Sequence, residues 1–290
     1  MTRIAVLADI HANLPALEAV VDDIARTGVD EVLVGGDLVG RGPQGRKEGA
    51  AAEQLKATSI RGNHEDYLLQ FRRRDVPDDW LVADIWAASR WMAEQIGEWH
   101  ADFIDQLPLS RSAESTDGLR LVHGSPTSYQ EGIGDWTSDE TIEEHIDSIE
   151  ESLLVCAHTH RPLDRQVLNG RVVNVGSVGL PFNGDPRAQY AIFEPQGEAW
   201  SVDFRQVDYD RTDLLQTYQE SGFLAEGGLT ASILRMEVET ARPFLVPFLK
   251  WTEIEEIEPT AGRFESFLEV YEPEMAMKDV FERFGEPDSE

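Results

Sequence analysis

Five short apolar runs recur along the first 160 residues, and each closes on a polar or small residue: Arg3–Asp9, Val29–Asp37, Thr58–Asn63, Leu119–Gly124 and Leu153–His158. Runs of this length without polar alternation read as buried strands covered on both faces, the pattern of a layered α/β sheet. Helical stretches separate them. Leu14–Arg26 places Leu14, Leu17, Val20, Val21 and Ile24 near a 3.6-residue period, with Pro15 in the tolerant first turn. Asp79–Leu107 is predicted as one long amphipathic helix, whose Trp80, Trp86, Trp91 and Trp99 read as core anchors.

Beyond residue 165 the texture changes. Gln166–Gly176 is predicted as a hairpin turning on Asn169-Gly170, and Tyr190–Phe193 and Trp200–Val207 add strands. From Asp208 the pattern is helical until Pro243 and Pro247, which are expected to end or kink it. The chain therefore divides into a main domain over 1–207 and a helical, acidic extension over 208–290. Phe223, Leu224, Ile233, Leu234, Phe244 and Phe248 suit the extension to a cap over the main domain or to a homodimer contact. The last 40 residues carry 13 acids against three bases and read as a solvated tail.

Charge excludes some functions. With 55 Asp and Glu against 25 Lys and Arg, the formal charge is -30, and such a surface repels a phosphate backbone. Long DNA or RNA is not the expected partner. The single cysteine, Cys156, permits no intrachain disulfide and sits in an apolar run as a buried thiol, which suits a reducing, cytoplasmic setting. No apolar run approaches the roughly 20 residues of a membrane span. Ile4–Ala8 is too short for a signal sequence, so no membrane partner is expected. Only Lys47, Lys56, Lys250 and Lys278 are lysines. An acid-rich, lysine-poor surface stays hydrated in concentrated salt, where repulsion is screened. The thermal unfolding midpoint is accordingly expected to climb between low and molar KCl; a midpoint unmoved by salt refutes the idea.

The histidines carry the chemistry. Five of seven lie in polar clusters at predicted strand ends: Asp9-Ile10-His11, Gly62-Asn63-His64-Glu65, His123-Gly124-Ser125 and His158-Thr159-His160, joined by Gly36-Asp37. In extended backbone residues i and i+2 share a side, so Asp9 can face the same point as His11, and His158 the same point as His160. Ligands gather at the carboxyl ends of strands in α/β sheets. Asp9, His11, Asp37, Asn63, His123, His158 and His160 offer seven donors, more than one ion uses, and a carboxylate can bridge two. Imidazole and carboxylate without thiolate suit Mn, Fe, Co, Ni or Zn better than Mg or Ca. Two ions about 3.5–4 Å apart share a hydroxide and clamp a phosphoryl oxygen for in-line displacement.

Taken in order, Asp9-x-His11, Gly36-Asp37, Gly62-Asn63-His64-Glu65, His123-Gly124 and His158-Thr159-His160 resemble the calcineurin-like metallophosphoesterases, most closely their small bacterial and archaeal phosphodiesterase branch. Ser59-Ile60-Arg61, Leu121-Val122-His123-Gly124-Ser125-Pro126 and Asn174-Val175-Gly176-Ser177 support the likeness, which covers residues 1–207. The resemblance implies a four-layer αββα sandwich and two divalent transition-metal ions, manganese first among them. Asp9, His11, Asp37 and His160 would hold one ion, and Asp37, Asn63, His123 and His158 the other. His64 would protonate the leaving oxygen or steady the transition state, and Arg41 would grip the phosphate, a task suited to a guanidinium fork. Gly40 stands where phosphoprotein phosphatases have an aspartate that orients the histidine, and Ala157 where glycine is usual. The function implied is hydrolysis of small nucleotide-type phosphodiesters through a metal-bridging hydroxide. A phosphoprotein phosphatase, or a silent metal-binding scaffold, is the alternative.

Overall fold

The computed structural model describes residues 2–43, 58–197 and 199–272. The side chain of Trp99 and residues 273–290 of the acidic tail lie outside the described residues. The strands are β1 (Ile4–Leu7), β2 (Glu31–Val34), β3 (Thr58–Ser59), β4 (Ser110–Ser112), β5 (Leu119–Val122), β6 (Leu153–Cys156), β7 (Leu163–Val167), β8 (Gly170–Asn174), β9 (Ala188–Gln196) and β10 (Ala199–Val207). They form two sheets, ordered β10-β9-β1-β2-β3 and β4-β5-β6-β8-β7, with β1-β2-β3 and β5-β6-β8 parallel.

The period of two in a strand explains why β1 is buried throughout. Ile4 and Val6 point into the core between the sheets with Leu121, Val155 and Phe193, while Ala5 and Leu7 point into the core beneath the helices. The helix α1 (Leu14–Thr27) supplies Ala16, Leu17, Val20 and Ile24 to that second core; Asn13 caps its start and Gly28 (φ 73°) ends it. On the far face of the other sheet, Ile142 and Ile146 of α5 (Asp139–Asp147) pack against Leu154, Cys156 and Val172. The layers run helix, sheet, sheet, helix, as expected.

Three local readings are corrected. Asp79–Leu107 is not one helix: a 3-10 turn at Asp84–Trp86 leads into α3 (Ala87–Gln95), and α4 (Glu98–Asp105) follows a break at Ile96-Gly97. Ile96 is extended there (ψ 120°), which ends the helical hydrogen-bond ladder. Trp91 is buried as an anchor, whereas Trp80 and Trp86 are only half-buried and stack on each other at 4.0 Å. The hairpin closes on the pair Val167 and Gly170, so its loop is Leu168-Asn169. Gly170 belongs to the strand, where a Cβ would press within 2.6 Å of the Ser152 carbonyl. Pro247 neither ends nor kinks a helix. It is the third residue of α8 (Leu245–Ile254), in the first turn, where its missing N–H costs nothing.

The extension adds α6 (Thr212–Glu220), α7 (Phe223–Thr240), α8 and α9 (Ala261–Leu268). Leu214, Tyr218, Phe223, Leu234 and Val238 join the same core as α1, so α6 and α7 pack directly on the sandwich. Phe244, Phe248, Phe264, Phe267 and Tyr271 form a second, mostly aromatic cluster outside it.

Asp23 ties α1 to the sheet edge, accepting hydrogen bonds from Tyr190 Oη (2.8 Å) and Arg205 Nη2 (3.0 Å). Burial alone would raise its pKa, but these donors outweigh that and hold it below the usual aspartate value. A lowered folded pKa contributes stability above the ordinary aspartate range and loses it as pH falls through the folded value. Asp23→Asn should therefore cost about 1–3 kcal/mol in urea unfolding at neutral pH. The gap from the parent should close in acid; a gap independent of pH contradicts the assignment.

Candidate metal centre

The seven expected donors come together, but not through strand pleating. β1 stops at Leu7 and β6 at Cys156, so Asp9, His11, His158 and His160 lie past the strand ends. Their backbones are left-handed, with φ of 53°, 50°, 67° and 57°, and Asp37 joins them at 52°. Such residues cost on the order of 1 kcal/mol or more each and persist where their surroundings over-determine them. Backbone bonds supply that restraint: Asp9 N to Gly36 O (3.1 Å), His11 N to Asp37 O (3.0 Å) and Gly179 N to Asp9 O (2.9 Å). Two glycines make room. A Cβ on Gly62 would collide with the Asp37 carboxylate, and one on Gly36 would sit 2.9 Å from His123 Nδ1.

Two donor groups share one oxygen. In the first, Asp9, His11, Asp37 and His160 bring ligand atoms that all lie within 4.8 Å of one another. His11 Nε2 is 3.0 Å from His160 Nε2 and 3.5 Å from Asp37 Oδ2, and His160 Nε2 is 3.8 Å from Asp9 Oδ1. In the second, His123 Nε2 is 3.4 Å from the same Asp37 Oδ2 and 3.0 Å from Asn63 Oδ1, while His158 Nδ1 is 3.0 Å from Asn63 Oδ1. Ligands about 2.0–2.2 Å from a divalent ion are about 3.0–3.5 Å apart, spacings like those among these donors. Asp9 Oδ1 is buried without a hydrogen-bond partner, as is His11 Nδ1. An orphaned buried carboxylate oxygen is costly unless a cation meets it.

Outer hydrogen bonds aim the rings. His123 Nδ1 donates to Gly35 O (2.7 Å) and His160 Nδ1 to Leu180 O (2.5 Å), which turns each Nε2 toward the cluster. Glu65 does the same for the loops. Fully buried in α2 (Asn63–Arg73), its carboxylate accepts from the backbone N–H groups of Asp37, Gly62 and Val39 at 2.8–3.1 Å. Burial and the Asp37 charge push its pKa up to about 7 against the Gly62 and Val39 N–H groups and His123. Glu65 belongs to the same motif without being a donor; its position three residues after Gly62 is the capping signal that identifies it.

Burial is the leading influence on every ligand. It drives His11 and His160 well below the ordinary histidine value and His158 to about 3, leaving neutral imidazoles with free lone pairs. It raises Asp9, with Asp37 adding to the effect and His123 opposing it. Burial would also raise Asp37, but His123 and His64 hold it low, so it is ionised. His123 is the exception among the imidazoles: burial lowers it, yet Asp37 and Asp9 together lift it to about 10. A proton on His123 would balance the charge of the carboxylates, and a divalent ion held there would take its place.

The profile of the calcineurin-like phosphoesterases matches residues 2–162, more than half of the chain. The chain is a calcineurin-like phosphoesterase. The family uses divalent metal ions, in keeping with the buried aspartate–histidine cluster. An uncharacterised protein of Methanocaldococcus jannaschii is 26% identical over 224 residues, spanning 72% of this chain and 88% of its own. A metallophosphoesterase of Sphaerobacter thermophilus superposes with a TM-score of 0.64 at 29% identity, over 78% of this chain and all of that one. A hypothetical protein of Pyrococcus horikoshii shares the fold, with a TM-score of 0.67 at 23% identity over 81% and 98% of the two chains.

In this phosphoesterase the ring of His64 stands beside the donors, edge-on to His11 at 5.1 Å and to Tyr67 at 5.5 Å. Gly40, at φ 85°, lies beneath it: a Cβ there would meet the His64 ring at 3.0 Å on a left-handed backbone, so an aspartate at this position would be strained. Arg41 orients the ring instead, its Nε donating to His64 Nε2 at 2.9 Å. Burial, with help from Arg41 and His123 and against Asp37, pushes His64 down to about 3, so its resting ring is neutral. The Arg41 side chain is 12% exposed, and Nη1 pairs with Glu237 Oε2 at 3.2 Å. Glu237 on α7 is fully buried and also receives the N–H groups of Phe244 (2.7 Å) and Leu245 (2.8 Å). Nothing local in the sequence sets Glu237 apart from the surface acids around it. Asn183 and Arg187 shape their own turn: Arg187 forks onto Asp185, and Asn183 pairs with Gln189.

Proposed function

We propose that this phosphoesterase hydrolyses small phosphodiesters at a centre of two divalent transition-metal ions, manganese foremost. The observation that carries the reading is the sharing of Asp37 Oδ2 between two donor groups, 3.5 Å from His11 Nε2 and 3.4 Å from His123 Nε2. Asp9, His11, Asp37 and His160 would hold one ion, and Asp37, Asn63, His123 and His158 the other. Bound there, the ions supply Lewis acidity to the phosphoryl oxygens and lower the pKa of a nucleophilic water.

The remaining steps fall to the protein. Arg41, held by Glu237, offers its guanidinium to the phosphate. An anionic ester competes with His64 for that guanidinium. As Arg41 turns to the ester, His64 Nε2 loses a donor and gains a negative neighbour, which raises its pKa. His64 then holds a proton at Nε2 for the departing alkoxide. Its backbone N–H stays on Asp37 Oδ1 at 2.9 Å, so the ring is fixed while its proton moves.

The test is a panel of bis-p-nitrophenyl phosphate, p-nitrophenyl phosphate and a phosphopeptide, each with Mn²⁺ added and then chelated. Metal-dependent turnover with preference for the diester is expected. Preference for the phosphopeptide replaces the reading with a protein phosphatase, and metal uptake without turnover of any ester replaces it with a silent scaffold.

A further inference from the structure

The donor set opens into a cavity of about 720 Å³, far larger than a phosphate, whose lining includes Arg41, Asn63, His64, His158 and His160. Five aromatic side chains line the rest of its wall, Tyr67, Trp80, Trp86, Trp136 and Phe182, among aliphatic ones and the polar Ser89, Gln130, Thr141 and Thr159. Trp80 and Trp86 lie 20° from parallel at 4.0 Å, a stiff double plate. The extension closes the other side with Leu234, Pro243, Leu245 and Leu249.

Several of the polar groups in this wall are engaged by the fold. Thr230 Oγ1 donates to Ile85 O (2.6 Å), Thr137 Oγ1 accepts from Gly134 N (3.0 Å), and Ser138 Oγ caps Thr141 N (3.1 Å). Apart from histidine, the charged side chains of the lining are Glu131 and Arg41, and Arg41 is committed to the phosphate being cleaved. A polyphosphate chain would find no cations along this wall to match its charge. A nucleobase would set some of its donors and acceptors against apolar side chains. A flat hydrocarbon ring loses nothing there and stacks well.

We infer that the cavity receives the alcohol part of the substrate, and that this alcohol is a flat, uncharged, mainly apolar aromatic ring system. The inference rests on the phosphoesterase reading for the bond that is cleaved, while the ring selectivity stands on the cavity alone. Calorimetric titration of the chelator-treated, full-length protein with 2-naphthol and with adenosine separates the two.

Naphthol should bind at least about tenfold more tightly than adenosine. Leu234→Trp, which fills the cavity, and Trp86→Ala, which removes half of the plate, should each weaken naphthol binding with the circular dichroism of the fold retained. Absence of naphthol binding, or adenosine binding as tightly, overturns the proposal. So does naphthol binding that survives both variants. With Mn²⁺ restored, hydrolysis of p-nitrophenyl esters without naphthol binding overturns the pocket and leaves the phosphoesterase reading intact. Naphthol binding that answers to both variants, without turnover of any ester, supports the pocket's ring selectivity and removes the hydrolytic reading.

Discussion

Asp37→Asn should cut phosphate-ester turnover by at least about 10³-fold, because a shared ligand charge contributes several kcal/mol to holding both ions and each 1.36 kcal/mol is tenfold. The substitution keeps the shape of the side chain and removes one negative charge from between two imidazole groups. Asp37 Oδ2 is the atom common to both donor sets. An amide nitrogen in its place has no lone pair for a cation, and an amide oxygen there carries no formal charge. Elemental analysis of the reconstituted variant should show loss of at least one ion per chain. Retention of both ions with turnover within tenfold of the parent would falsify the shared-ligand assignment.

His64→Ala should leave metal content unchanged and lower turnover by about 10²–10⁴-fold, the usual loss for an acid–base group. The backbone contact from residue 64 to Asp37 Oδ1 does not depend on the ring, so the donor set keeps its support. The loss should be largest for esters of alkyl alcohols, whose alkoxides depart poorly, and smallest for p-nitrophenyl esters, whose leaving oxygen needs little help. An equal loss across leaving groups would take proton transfer away from His64 and leave it an electrostatic role. Unchanged turnover would remove it from the reaction.

Part of this molecule was legible from residue order. The buried strands, α1 and the seven donors appear as local patterns, because strand burial and ligand chemistry depend on residue type and short spacing. The ends of elements were less legible. Asn63 was read as the end of a strand, yet it opens α2, since Glu65 reaches back to the Gly62 N–H and satisfies the helix start. Pleating would bring His158 and His160 to one point, but His160 lies with Asp9 and His11 while His158 lies with Asn63 and His123. Asp9 and His11 converge through left-handed turns beyond β1, which only the loops packed around them enforce.

Composition and motif, then, determined the family and the layered α/β class and marked out the candidate donors, because these follow from residue types in fixed order. Tertiary structure alone decided that Arg41 is anchored by a glutamate 196 positions away. It also decided that Arg41, rather than an aspartate, orients His64, and that the extension walls an aromatic cavity beside the donors. Such pairings join segments with no shared local pattern, and they exist only once α7 is packed against the sandwich and Glu237 is buried beside Arg41.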